Sequence, residues 1–362
     1  MIRVIPLHVT LSQRRPRPSL HLWLADDHGR HGHGDAAPLA PFSRESAVDC
    51  ARALARLEQH LGPIDDEAPP ASAVGAALAR FGADLDVVPS ARLALETALL
   101  DLLGQRWGLS VAACLGGPTS PAPVPVNGLL LAAPEETLAA RAVTLADRGY
   151  RAIKIKLRAR DDAGFVRELA ALHEVRERLP LPFELRLDPN AAWTLDEART
   201  RLRALAAIAP AFVEQPVAAT LLHRLGECAV PWAADESLAI EELVEPLLSA
   251  RGCAAFVLKP AILGGLDRAR ALALRAQERG IEVVVTHLFD GPYSMAAAAE
   301  LAVSLPRPPL ACGLDRHEAL EAWIADAGGL DVPQLAEAGW IRSSGGPGLR
   351  VAGRPIEPAW TR

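Results

Sequence analysis

Apolar residues recur at nearly every second position in two short stretches, Val4 to Val9 and Leu20 to Leu24. A period of two predicts half-buried strands. Between them lies a polar loop, SQRRPRPS, and after them a turn at Asp26-Asp27-His28-Gly29. The pattern predicts an antiparallel hairpin with a third strand near residues 32–37.

After Ser43 the period lengthens. Ser43 and Glu45 precede Ala47, Ala51, Leu54 and Leu57, which predicts a capped amphipathic helix. A second helix is predicted over residues 90–104, with a stripe of Leu93, Ala94, Ala98 and Leu102 and with Gly104 at its end. The Gly- and Pro-rich stretch at residues 116–123 reads as a linker. Beyond it, short apolar strands alternate with helical stretches such as 136–148 and 266–279. Strands are predicted at 124–130, 152–157, 184–188, 211–214, 231–235, 255–259, 282–286 and 309–314. Eight strands at this spacing favour a parallel β/α barrel over an open doubly wound sheet. No GxGxxG follows the first of them, which sets aside dinucleotide binding. The expected organisation is an N-terminal α+β head over 1–117, a barrel over 118–320, and a segment over 321–362 that folds back onto the head.

Composition narrows the classes. With 362 residues, half of them hydrophobic and 4% aromatic, the chain can bury a large aliphatic core. A net charge of −6 gives no basic footprint for nucleic acid. Five cysteines without CxxC spacing suggest reduced thiols and a cytoplasmic setting. The N-terminal stretch lacks the apolar core of a signal peptide, and no run has the length of a membrane span.

Candidate chemistry sits at the ends of the barrel strands. Lys154 and Lys156 end the second, Asp188 the third, Glu214 the fourth, Asp235 the fifth and Lys259 the sixth. A barrel aims these ends at one opening. Lys154 and Lys156 face the same way because side chains alternate along a strand. Taken singly, a carboxylate there is a helix cap and Lys-x-Lys a solvated edge. Together, three carboxylates flanked by lysines require a cation. Oxygen donors without a His/Cys set suit Mg²⁺, with Mn²⁺ as a substitute, rather than zinc. Such an ion stabilises the enediolate formed when a proton leaves the carbon beside a carboxylate. Neighbouring cations should lower the pKa of Lys156, leaving it free to act as a base.

The order of these residues resembles the muconate-lactonizing branch of the enolase superfamily. It reads KIK at 154–156, LRLDPNAAW at 185–193, FVEQP at 212–216, ADES at 234–237 and LKPAILGG at 258–265. The helix SARLALETALLDLLG also resembles that branch's domain-junction helix. The resemblance implies an enolase-type (β/α)7β barrel under an N-terminal capping domain. Within the branch, GDAAPLAPFSRES at 34–46 and Arg186 are similar to the o-succinylbenzoate synthases of menaquinone synthesis. Asp35 stands for their Glu, Pro41 for a Gly, and Pro189 for a small residue. THLFDGP at 286–292 replaces the serine-rich segment that some synthases carry.

The resemblance implies a small carboxylate substrate and a syn dehydration of 2-succinyl-6-hydroxy-2,4-cyclohexadiene-1-carboxylate. Lys156 would be base and then acid. Lys259 would stabilise the enediolate, and Lys154 would hold the carboxylate. Asp188, Glu214 and Asp235 would bind Mg²⁺, with Asn190 and Glu236 supporting them. Arg186, Asn190, His287 and Gly313 are the candidate substrate contacts. The alternatives are an N-succinylamino-acid racemase or muconate cycloisomerase using the same groups, or a barrel kept for binding alone. Asp315 lacks the Asp-x-Asp partner that dipeptide epimerases carry. The His28–His33 segment reads as a solvated turn. Arg14, Arg15 and Arg17 lie in a loop that in relatives closes over the site. Oligomeric state is not legible.

Overall fold

The computed structural model describes residues 1–12, 18–131, 135–326 and 329–352; Arg14, Arg15 and Arg17 lie outside them. The N-terminal alternation forms an antiparallel sheet. Its strands are β1 (Ile2–Ser12), β2 (Ser19–Asp26), β3 (His31–Ala36) and β4 (Pro63–Ile64), in the order β3-β2-β1-β4. Asp26 staples the turn after β2: it accepts from the backbone N–H of His28 and Arg30 and pairs with the Arg30 guanidinium at 2.6 Å. His28 therefore sits in the expected turn. His33 does not. It lies in β3, and its ring stacks on His21 and Tyr293 with centroids 5.4 and 5.1 Å apart. Burial pushes its pKa down to about 4, with His31 adding to the push.

Two helix ends differ from expectation. The first helix, Ala47–Leu54, is capped by Ser46 in a reciprocal box with Asp49, not by Ser43. Ser43 Oγ instead accepts from Leu39 N, and Glu45 accepts from the N–H and hydroxyl of Ser90 at the next long helix. That helix runs Pro89–Trp107, and Gly108, at φ 68°, closes it in the left-handed region. Gly104 is an interior residue packed against Leu109 and Gly348. Every residue from Ser90 to Gly104 is buried. A helix buried all round belongs between two layers, here the head sheet and the barrel.

After β5 (Val124–Pro125) come seven parallel strands in sequence order: β6 (Gly128–Leu131), β7 (Ala152–Lys156), β8 (Glu184–Asp188), β9 (Phe212–Glu214), β10 (Trp232–Ala234), β11 (Cys253–Leu258) and β12 (Glu282–Val285). The fold is an α/β barrel. The expected eighth strand shrinks to two parallel bridges, Cys312 with Val126 and Gly313 with Thr286. Pro306, Pro308 and Pro309 precede it and supply no N–H to a ladder. β13 (Trp340–Ile341) pairs with β5. No helix among the described residues is long and apolar enough to cross a membrane.

Buried carboxylates join the layers. Glu96 accepts from Leu266 N at 2.6 Å and Asp267 N at 2.8 Å, the first turn of helix Leu266–Glu278. Arg92 forks onto Asp267 beside it. Asp101 accepts from Leu349 N, and Glu300 accepts from Ala112 N and Ser344 N. We propose a division at about residues 117 and 320; Leu349 of the last segment meets the head at Asp101, and Ser344 meets the barrel at Glu300.

Asp35 of β3 accepts from Tyr293 N at 2.8 Å and Ser294 N at 3.2 Å, at the start of helix Pro292–Ser304. It thereby ties the head sheet to the barrel. Burial pushes its carboxyl from 3.8 up to about 6, against the hydrogen bonds from Ser294 and Tyr293 and with help from Asp290. Between those values the folded state keeps a proton that the unfolded chain has released. The stability this group contributes is full below the lower value and lost as pH rises through the upper one. Denaturation of wild type and Asp35→Asn at pH 4 and pH 7 should show wild type losing ground to the variant at the higher pH. An equal difference at both pH values would mean that burial does not govern this carboxyl.

Candidate active site

Strand alternation places Lys154 and Lys156 on the inner face of β7, and Arg186 and Asp188 on that of β8. The register pairs Lys154 with Arg186 and Lys156 with Asp188. Lys156 and Asp188 thus share the layer nearest the opening. Lys156 Nζ lies 3.2 Å from Asp188 Oδ2 and donates to Asn190 Oδ1 at 2.6 Å. Asn190, held at φ 49°, donates its backbone N–H to Asp188 Oδ1 and its amide to Glu236 Oε1. A neutral amide therefore links Lys156 to Glu236.

Lys154 and Lys259 bind more firmly to carboxylates. Lys154 Nζ donates to Glu214 Oε1 at 2.8 Å and lies 3.6 Å from Asp188. Lys259 Nζ donates to both oxygens of Asp235, to Oδ1 at 2.6 Å. The ring of Phe42, from the head, lies 5.6 Å from that ammonium. Burial alone would lower both lysines, yet the surrounding carboxylates hold their pKa above the ordinary value. The carboxylates feel their own crowding. Burial pushes Glu214 up to about 7, Lys154 opposes it, and Asp188 and Asp235 add to the push. Asp235 is raised by burial, with Lys259 opposing. Burial would also raise Asp188, but Lys154 and Lys156 pull it below the usual carboxylate range.

The loops after β9 and β10 are locked together by Gln215. Its Oε1 accepts from Asp235 N at 3.0 Å and Ser237 N at 3.3 Å, and its Nε2 donates to Ser237 Oγ at 2.8 Å and Val217 O at 2.9 Å. Sequence reading passed over Gln215, whose one signal was its place beside Glu214 in FVEQP. It also missed Phe42 as a site residue, whose one signal was its place in the PLAPFS segment.

Lys154, Lys156, Lys259, Asn190, His287 and Gly313 line one cavity, together with Asp235. A Cβ on Gly313 would come 2.4 Å from Thr286 Oγ1, so only glycine fits there. Asp188 and Glu214 lie behind the lysines, buried. Arg186 is placed elsewhere. Two residues before Asp188, it faces inward one layer deeper, where it donates to Glu184 and the Ala311 carbonyl and lies 5.1 Å over Phe212. It plugs the barrel interior below the cavity rather than lining it.

The donor set fits a hard divalent cation in its chemistry. All three donors are carboxylates, and beside them the buried oxygen Glu236 Oε2 has no hydrogen-bond partner, while Asp188 Oδ2 faces the Lys156 ammonium at 3.2 Å. Among the described residues, no three acids, histidines or cysteines stand close enough to hold an ion as they are. The lysine ammoniums draw Glu214 and Asp235 toward themselves and neutralise the cluster.

Residues 137–353 match the family model described as enolase C-terminal domain-like. The chain is 36% identical over 213 residues to the o-succinylbenzoate synthase of Thermobifida fusca, a match covering 57% of this chain and 65% of that protein. It therefore spans slightly under two thirds of that synthase's length. It is 32% identical over 279 residues to the L-Lys-D/L-Arg epimerase of Methylococcus capsulatus, covering 75% of this chain and 72% of that protein. The crystal structure of the dipeptide epimerase from Methylococcus capsulatus complexed with Mg ion superposes with a TM-score of 0.76 at 26% identity, over 98% of this chain and 99% of that chain.

Proposed function

This chain belongs to the enolase superfamily through its enolase C-terminal domain-like region, and from that premise we propose that it is an o-succinylbenzoate synthase, a dehydratase. The substrate would be 2-succinyl-6-hydroxy-2,4-cyclohexadiene-1-carboxylate.

Asp188, Glu214 and Asp235 are the residues to hold Mg²⁺, which when bound supplies Lewis-acid stabilisation of charge on the substrate carboxylate. Lys156 Nζ takes the proton from the carbon beside that carboxylate, and the C–H electrons move into the carboxylate as an enediolate. Those electrons return to expel the ring hydroxyl. Lys156 gives its proton to the departing oxygen, water leaves and the ring becomes aromatic. Lys259 and Lys154 remain charged and stabilise the enediolate oxygens. Asn190 fixes the direction in which Lys156 Nζ points.

The asymmetry of the two lysines carries this reading. Lys156 is the more exposed, at 27% of its side chain, and is held partly by a neutral amide. Lys259 is 12% exposed and covered by the ring of Phe42 from the head. One mobile proton carrier and one fixed cation suit a syn elimination, which needs a single acid–base group. Racemisation needs two.

The second reading, racemisation or epimerisation, draws on the 32% identity to an epimerase. Lys259→Arg separates the two, since arginine keeps the charge and does not deprotonate. Dehydration should remain measurable in this variant, while any racemisation of N-succinylamino acids should vanish. The measurement is product formation alongside α-deuterium exchange for each enantiomer. A wild type that racemises N-succinylamino acids far faster than it dehydrates the cyclohexadiene would overturn the synthase reading.

A further inference from the structure

The turn after β12 is built differently from the rest of the cavity wall. Several of its polar groups bond within the turn or to the segment after Gly313, where His287 meets the Asp315 backbone. Leu288 N donates to Asp290 Oδ2 at 2.9 Å, and Phe289 N donates to His287 Nδ1 at 2.8 Å. His317 Nε2 lies 3.1 Å from the Asp290 carbonyl. A carbonyl can only accept, so His317 carries its proton on Nε2, and its Nδ1 accepts from Leu320 N at 3.1 Å. His287 accepts at Nδ1, so its neutral form carries the proton on Nε2. Burial, His317, Lys154 and Lys259 all hold its pKa well below the ordinary value.

What this turn offers the cavity is a set of ring surfaces. The His287 and His317 rings lie 4.7 Å apart, and Phe289 stands edge-on to both at 5.5 Å. Phe289 is 43% exposed and sits at φ 55°, a backbone region that bulky residues seldom adopt. His287, Leu288 and Phe289 line the cavity, as does Phe42. The cations lining it among the described residues are Lys154, Lys156 and Lys259, and all three face carboxylates.

We propose that His287 and Phe289 are specificity-determining residues that recognise the planar ring of the substrate. They would do so through edge and face contacts and favour cyclic unsaturated or aromatic carboxylates over N-acylated amino acids. This inference rests on the carboxylate-binding reading of the site above. Ring quadrupoles favour offset and edge-to-face contacts with another ring, whereas a flexible aliphatic chain gains only buried area.

The test is calorimetric binding of o-succinylbenzoate and of N-succinyl-L-valine to the Mg²⁺-loaded chain, in wild type, Phe289→Ala and Phe289→Tyr. Phe289→Ala should weaken o-succinylbenzoate about 10-fold and N-succinyl-L-valine by less than about 2-fold, with Phe289→Tyr close to wild type. Because Phe289 is partly exposed, its truncation leaves the core intact, and matching thermal unfolding curves confirm it. Equal losses for both ligands, no loss for either, or a wild type that fails to bind the aromatic acid would each overturn the inference. A wild type that binds with the expected pattern yet does not dehydrate the cyclohexadiene leaves this wall standing and removes the synthase reading. Dehydration with unchanged ring binding in Phe289→Ala does the reverse.

Discussion

Lys156→Ala is expected to reduce turnover of the cyclohexadiene substrate by at least about 10⁴-fold, because one amine serves two proton transfers that each contribute roughly 10²–10⁴-fold. Lys156 Nζ reaches the cavity and is 2.6 Å from Asn190 Oδ1, with Asp188 behind it. Lys154 is the more deeply buried of the two lysines on β7, at 12% exposure against 27% for Lys156. Lys259 is bound to both oxygens of Asp235. Steady-state kinetics on purified variant and wild type decide the matter. A variant that keeps the wild-type kcat places the base elsewhere. Lys156→Arg, which keeps the charge but holds its proton, should be as inactive as the alanine variant. A merely electrostatic role would predict rescue.

Removing divalent metal with a chelator should suppress turnover by at least about 10³-fold, a factor that corresponds to several kcal/mol of transition-state stabilisation. Mg²⁺ or Mn²⁺ should restore it. The three buried carboxylates crowded at one end of the barrel and the upward push on Glu214 and Asp235 motivate this expectation. Asp188→Asn should weaken Mg²⁺ binding, followed by calorimetry, and lower the unfolding midpoint without metal at neutral pH, because the attraction of Lys154 and Lys156 outweighs burial at this carboxylate. Relief of repulsion with Glu214, and an amide oxygen that can still accept from Asn190 N, limit that loss. Full activity in rigorously metal-free protein would remove the metal assignment.

The barrel and its charged rim were legible because both are one-dimensional signals. A strand fixes inward and outward faces by parity, so Lys154, Lys156 and Asp188 could be assigned to one interior before any contact was known. What parity cannot supply is depth. Arg186 shares the inward face with Asp188, yet lies one layer below the cavity, engaged with Glu184 and Ala311. Its register partner Lys154 reaches the cavity, so what separates them is the set of partners that holds the Arg186 guanidinium. Helix ends failed for a related reason: Ser43, Glu45 and Ser46 are all plausible caps, and only the packing of Glu45 onto Ser90 leaves Ser46 to cap its own helix. Phe42 over Lys259 depends on how the head sits on the barrel, and the sequence marks that only through the short PLAPFS segment.

The single amide of Gln215 has a bearing on how this site can change. It clamps the backbone after Asp235 while sitting next to Glu214, so the two acids share one mechanical reference. Substitutions in either loop should therefore be strongly epistatic. A graft that imports the loop after β10 from a relative lacking a hydroxyl at position 237 would remove one acceptor of the Gln215 amide and loosen the clamp beside Glu214. A designer recruiting this barrel for a new reaction would have to transplant both loops as one cassette, and natural drift would be expected to move them in step.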